Sequence, residues 1–128
     1  MGGIRAARSG LVWEWFRVLD EMVKQPKILL MENVIGLLVK HNGENYSALH
    51  MALVERGYQC GAIVLNASLF LPQSRPRVFI IAVHNECQIP SNIISDSPCW
   101  FHNKNAIEIG MRLPNWIWWS TEKPSNQK

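Results

Sequence analysis

Lys27-Ile-Leu-Leu-Met-Glu-Asn-Val34 is the stretch on which the fold turns. It is a short apolar run, too brief for a core helix, and it stops abruptly at Glu32 and Asn33. Runs of this kind read as buried parallel strands, covered on both faces. In open α/β sheets ligands bind beyond the carboxyl ends of the strands, so a carboxylate at Glu32 is well placed for acid–base work. The same carboxylate could equally cap a neighbouring helix or pair with a surface cation, and the strand alone does not decide.

Upstream, Ser9 is a good N-cap, and apolar residues recur at Val12, Trp15, Phe16, Leu19, Met22 and Val23 with charge between them. That is a helical stripe, and Pro26 ends it. Downstream, Gly36 and His41-Asn-Gly-Glu-Asn45 make a loop, Asn45 is a candidate cap for a helix from Tyr46 to Arg56, and Gly57 closes that helix. Ala62-Ile-Val-Leu-Asn66 and Val78-Phe-Ile-Ile-Ala-Val83 are strand-like. A polar, proline-bearing loop, Ser68-Leu-Phe-Leu-Pro-Gln-Ser-Arg-Pro-Arg77, joins them. Helix, strand, helix, strand, strand is the closing half of an α/β sheet. From about His84 onward the composition shifts to Ser, Asn, Pro and Trp without a clear period, which reads as largely irregular.

The 128 residues suffice for one domain with one modest core. Hydrophobic residues at 48% and charged residues at 18% argue against disorder. No apolar run reaches the roughly 20 residues of a membrane helix, and the first residues lack the apolar stretch of a signal peptide, so a cytoplasmic protein is expected. Cys60, Cys87 and Cys99 are then expected to be reduced thiols. A net charge of +3 is compatible with nucleic acid without pointing to it. Six tryptophans, four of them in Trp100 and Trp116-Ile-Trp-Trp119, suit a core, a base-stacking surface or an interface.

Gln73-Ser-Arg-Pro-Arg77 sets two guanidinium groups two residues apart on one side of an extended segment. Arginine suits planar, bidentate recognition of a carboxylate, a phosphate or a base edge. A lone Arg-x-Arg more often ties down neighbouring carbonyls, but here it follows the Glu-Asn-Val strand end by about 40 residues. That combination resembles the DNA cytosine-5 methyltransferases. Ser9-Gly-Leu-Val-Trp-Glu-Trp-Phe-Arg17 looks like that family's helix before Glu-Asn-Val, and Gly57-Tyr58 through Val64-Leu-Asn-Ala67 like its next strand. Leu71-Pro-Gln-Ser-Arg-Pro-Arg-Val-Phe-Ile-Ile-Ala82 is close to the family wording. The likeness covers roughly residues 4–84, and Leu113-Pro-Asn-Trp-Ile-Trp-Trp119 looks like a segment some members carry beyond the catalytic core.

The resemblance implies an α/β fold, the C-terminal half of a Rossmann-like S-adenosylmethionine-dependent methyltransferase sheet, followed by an irregular Trp-rich tail. Residues 1–84 would be a partial catalytic domain and residues 85–128 the start of a target-recognition region. It implies methyl transfer from S-adenosylmethionine to carbon 5 of a cytosine flipped out of double-stranded DNA and attacked at carbon 6 by a cysteine. Glu32 matches the glutamate that holds the ring nitrogen and amino group of the base. Arg77 matches the arginine at the base carbonyl, and Arg75 its supporting neighbour. Gln73 and Asn33 would organise the loops and help position the base.

In the family, a Pro-Cys loop with the nucleophile and a glycine-rich cofactor turn come before the helix at Ser9, and neither motif is in this sequence. Pro98-Cys99 lies after Gln-x-Arg-x-Arg, where the family has no nucleophile. The chain is therefore expected to be inactive alone and not to bind S-adenosylmethionine by itself. It reads as a fragment, one subunit of a split enzyme with a complementary partner, a degenerate product, or a non-catalytic nucleic-acid-binding or scaffolding remnant. Self-association through an open sheet edge is expected as well. His84-x-x-Cys87 and Cys99-x-x-His102 have spacing that could suit zinc, but the ligand order is uncommon and no family motif supports it. No bound metal is expected.

Overall fold

In a computed structural model, residues 9–66 and 76–122 are described. Helix α1 spans Ser9–Glu21 and leads through Pro26 into strand β1, Ile28–Val34. A short helix α2, Gly36–Val39, and a 3-10 turn, Lys40–Gly43, precede helix α3, Glu44–Glu55. Strands β2, Tyr58–Asn66, and β3, Pro76–His84, follow. Apart from α2 and the 3-10 turn, which occupy what reads as a loop in the sequence, the succession of helix and strand is the one expected, within a mixed α/β fold.

Strand direction departs from expectation. The sheet runs in the order β1-β3-β2, and β3 is antiparallel to both neighbours. The expected buried parallel strand is thus an edge strand with an antiparallel partner. β1 and β2, each opposed to β3, are parallel to one another but do not touch. Nor is β1 buried on both faces, for its residues alternate between exposed and half-buried along the whole strand. Ile28 and Leu30 are 65% and 66% exposed despite their apolar side chains.

One face of the sheet carries the larger core. Phe16 and Leu19 of α1, Leu37 and Leu38 of α2, and Tyr46, Leu49 and Leu53 of α3 close over Tyr58, Cys60, Ala62, Val78, Ile80 and Ala82. The alternation of β-strand side chains puts those sheet residues on a single face. Arg56 fastens α3 to α1, since its Nε and Nη2 donate to the two oxygens of Asp20 at 2.7 and 2.8 Å. Helix α1 ends at Glu21, short of the apolar stripe read from the sequence, so Met22 and Val23 are exposed. Helix α3 begins at Glu44 behind Gly43 rather than at an Asn45 cap. Gly43 has φ +75°, which a residue with a Cβ would adopt only under strain, and Ile109 fills the space a side chain would need. Gly57, φ +92°, ends α3 as expected.

Most of the described tail lies outside helix and strand, but it is ordered around a few short elements. It forms helix α4, Lys104–Gly110, and a two-stranded sheet of β4, Ile94–Ser95, with β5, Trp118–Trp119. Asn103 caps α4 by accepting from the Ala106 N–H at 2.8 Å. No long period signals such pieces, because each is too short to repeat one. Phe101, Ile117 and Trp119 pack on Ile63 and Val83 across the second face of the sheet. The tail also covers the outer edge of β2. There the Cys60 N–H donates to the Asn115 carbonyl at 3.0 Å, the Ile117 N–H to the Cys60 carbonyl at 2.9 Å, and the Val64 N–H to the Phe101 carbonyl at 2.8 Å. Gly61 makes this approach possible, since a Cβ there would run into the Ile117 carbonyl oxygen. The edge of β1 has no such cover among the described residues. No described helix is long and apolar enough to cross a membrane.

Candidate active site

The register of β1 against β3 builds the site. Val34 is the direct partner of Arg77, and Glu32 of Phe79. Direct partners share a face and alternate residues of a strand return to it, so Glu32 and Arg77 stand diagonally on one face. Their side chains meet, with Arg77 Nε 3.4 Å from Glu32 Oε2. Both are substantially exposed, at 38% and 50%. An ion pair this open contributes between nothing and about 1 kcal/mol to folding. Stability therefore does not explain why a carboxylate and a guanidinium share this spot.

Chemically, the pair offers acceptors and donors side by side. An ionised carboxylate accepts only, a guanidinium donates only, and the two lie close enough to engage one planar ligand edge together. Asn33 points to the other face of the strand, and its Oδ1 accepts from the Val34 N–H at 2.8 Å. It shapes the end of β1 and does not join Glu32. Gln73 and Arg75 lie outside the described residues.

Cys60 is fully buried and its thiol is pushed up to about 12 by burial, which keeps it protonated and unreactive. Half-buried Cys99 donates from Sγ to the Trp119 carbonyl at 3.6 Å. Among the described residues, none of the three cysteines is hydrogen-bonded to Glu32 or Arg77. His84 Nδ1 accepts from the Glu86 N–H and His102 Nδ1 from the Cys99 N–H, each pair serving its own turn. No three His, Cys, Asp or Glu residues gather to hold a metal among the described residues.

The described glycines are taken up by packing and helix ends. Gly43 and Gly57 supply left-handed turns, Gly61 lies under Ile117 and Gly110 under Trp116 and Trp118, while Gly36 opens α2 beneath the Lys40 stem. Gly10 lies within α1, and these glycines do not follow one another in a single glycine-rich turn among the described residues. Two open hollows are lined by Leu38, Asn42 and Arg112 and by Lys27, His84 and Gln88, and neither includes Glu32 or Arg77.

Sequence reading missed a buried polar cluster on the α3 side. His50 Nδ1 lies 2.9 Å from Tyr46 Oη and 3.1 Å from Cys60 Sγ, while its Nε2 lies 2.7 Å from the Pro114 carbonyl oxygen. The one signal in the sequence was a tyrosine and a histidine four apart on the apolar face of a helix.

The chain matches the C-5 cytosine-specific DNA methylase family over residues 1–115, and it belongs to that family. It is 49% identical to the orphan methyltransferase M.SssI of Spiroplasma monobiae over 82 residues, 62% of this chain and 21% of that protein. With the type II methyltransferase M.BsuFI of Bacillus subtilis it shares 31% identity over 121 residues, 87% of this chain and 29% of that protein. With the type II methyltransferase M.Bsp6I of a Bacillus species it shares 29% over 127 residues, 96% of this chain and 40% of that protein. The chain thus spans between about a fifth and two fifths of the length of these relatives.

Proposed function

We propose that this chain supplies the base-holding part of a DNA cytosine-5 methyltransferase, with Glu32 and Arg77 gripping a cytosine flipped out of the duplex. The observation that carries this reading is the diagonal approach of Glu32 and Arg77 on the open face of the sheet end. Cytosine presents an amino donor, a ring-nitrogen acceptor and a carbonyl acceptor along one edge. Glu32 accepts from the amino group and, when it carries a proton, donates to the ring nitrogen. Arg77 donates to the carbonyl. Holding the ring nitrogen protonated favours nucleophilic addition elsewhere on the ring, which is the acid–base share of the reaction. Arg75 supports Arg77, and Gln73 and Asn33 order the loops around them.

In this reading the sheet β1-β3-β2 is the C-terminal half of a Rossmann-like methyltransferase sheet. Residues 1–84 belong to the catalytic domain and residues 85–128 begin the target-recognition region. S-adenosylmethionine would supply the methyl group in the complete enzyme, on residues other than those described. Double-stranded DNA is the substrate, and the family's restriction–modification relatives suggest that setting. The nucleophile comes from another part of the assembly, a longer chain or a complementary subunit, and the strand edge of β1 is where that part joins. A scaffolding or nucleic-acid-binding remnant is the rival reading, and the intact Glu32, Arg75 and Arg77 speak against it.

The test is reconstitution. The chain is joined to, or mixed with, the glycine-rich and Pro-Cys portion of a family member, and incorporation of labelled methyl into DNA is measured. Incorporation that depends on both parts, and that falls sharply in Glu32→Gln, supports the proposal. Incorporation indifferent to Glu32 and Arg77 overturns it.

A further inference from the structure

His50 is completely buried and joins three separate parts of the chain. Its Nε2 donates to the carbonyl of Pro114 in the tail, so Nδ1 is the bare nitrogen and accepts from Tyr46 Oη of α3. Cys60 Sγ of β2 stands beside the same nitrogen. The ring of Trp116 stacks on His50, with centroids 5.7 Å apart and planes inclined by 22°. Immediately around this joint, residues 115–117 lie along the edge of β2.

We propose that His50 is the pin of an acid-released latch. With its ring neutral it holds residues 115–117 on β2, and protonation frees that segment while the three-stranded sheet stays folded. The surroundings explain the sensitivity. From α3 the facing titratable group is Tyr46, and from β2 it is Cys60. The tail offers only the Pro114 carbonyl and the Trp116 ring. Burial holds both the Tyr46 phenol and the Cys60 thiol in their protonated, neutral forms. No carboxylate pairs with the ring among the described residues, so an imidazolium would be a buried charge without a counter-ion. A proton on Nδ1 also removes the acceptor that Tyr46 uses. Moving residues 115–117 outward admits water at the least cost, because few hydrogen bonds hold them and the sheet ladder is untouched.

Amide hydrogen exchange on the whole chain between pH 8 and pH 5, corrected for intrinsic rates, tests the latch. The Cys60 and Ile117 amides, both in the tail bridge, should open more readily as the pH falls from the ordinary histidine value near 6.5 toward the lowered folded-state value of His50, by up to about tenfold per pH unit in that window. Over the same range, the β3 ladder amides and the Val64 amide should keep their protection. The opening midpoint should coincide with the titration of the His50 ring followed by NMR. His50→Gln, which keeps a neutral donor and acceptor, should abolish the pH dependence. Three results would overturn the latch: protection of Cys60 and Ile117 unchanged to pH 5, loss of it together with the β3 ladder, or a midpoint away from the His50 titration. The wild-type comparison decides the matter even where the variant does not fold.

Discussion

Glu32 and Arg77 meet on a diagonal: Val34 lies directly opposite Arg77, and Glu32, two residues earlier in β1, returns to the same face. A one-residue slip of β1 against β3 would send the carboxylate to the opposite face. The helix-covered core of Leu29 and Met31 on that other face fixes the register, so the packing of the fold sets the geometry of the site.

In a reconstituted enzyme, Glu32→Gln should lower methylation by about 10²–10⁴-fold, the usual weight of general acid–base help. Arg77→Ala should also reduce it, with at most about 1 kcal/mol of folding stability lost, since the pair is exposed. Thermal melts beside labelled-methyl assays separate the two effects. An Arg77→Ala protein that melts far below wild type would assign the pair a structural role.

By itself the chain should neither transfer methyl groups nor form a covalent adduct with DNA containing 5-fluorocytosine. Cys60 is buried and protonated, and no described thiol is hydrogen-bonded at Glu32. Incorporation above that of a Cys99→Ser control would contradict this. Calorimetry should detect no micromolar binding of S-adenosylmethionine, and protein purified without added metal should hold no zinc. One equivalent of zinc lost in a Cys87→Ser, Cys99→Ser double variant would reverse the last expectation.

Acid should destabilise the fold between about pH 6.5 and pH 4. Burial pushes His102 down to about 4, and burial likewise lowers His50, opposed by its bond to Pro114. Both groups bind a proton more readily when unfolded. Their stabilising share is therefore complete above the unfolded value near 6.5 and is lost as pH falls toward the folded values. Urea midpoints across this range should fall with pH, and His102→Gln should flatten the lower part of the curve.

Much of this was legible in the sequence and some was not. Glu-Asn-Val and Gln-x-Arg-x-Arg single out Glu32 and Arg77 in the sequence, because motif residues carry their chemistry in their identity, and the structure brings those two side chains together. The strand at Ile28–Val34 was legible as a strand, but not its direction. An apolar run reads the same whether its partner is parallel or antiparallel, and exposed Ile28 and Leu30 mimic burial on both faces. The tail was illegible because its order comes from distant contacts, such as Gly61 under Ile117, rather than from local period.

Self-association should run through β1. Its apolar backbone edge carries no proline, and Ile28, Leu30 and Val34 are exposed beside it. Sedimentation at micromolar concentration should show dimers, and Leu30→Lys should shift them to monomer. Dimers unchanged by that substitution would place the contact elsewhere.

Gly61→Ala should detach the tail from β2. The added methyl group collides with the backbone carbonyl of Ile117, which cannot rotate away as a flexible side chain could. Overpacking of this kind costs about 1–3 kcal/mol or more. Fluorescence of the tail tryptophans should shift toward that of exposed indole. A variant as stable as wild type, with unchanged emission, would show that the tail has another way to sit.

Covering β2 while leaving β1 bare gives the described sheet a valence of one. A body with a single bonding side makes pairs and stops, because each union consumes the free side of both members. Two free sides would make the same body a link in a chain of unlimited length. Residues 115–117, together with Phe101, cap the β2 side, so association through β1 alone would end at two, whereas a sheet with both edges bare would have no such stop.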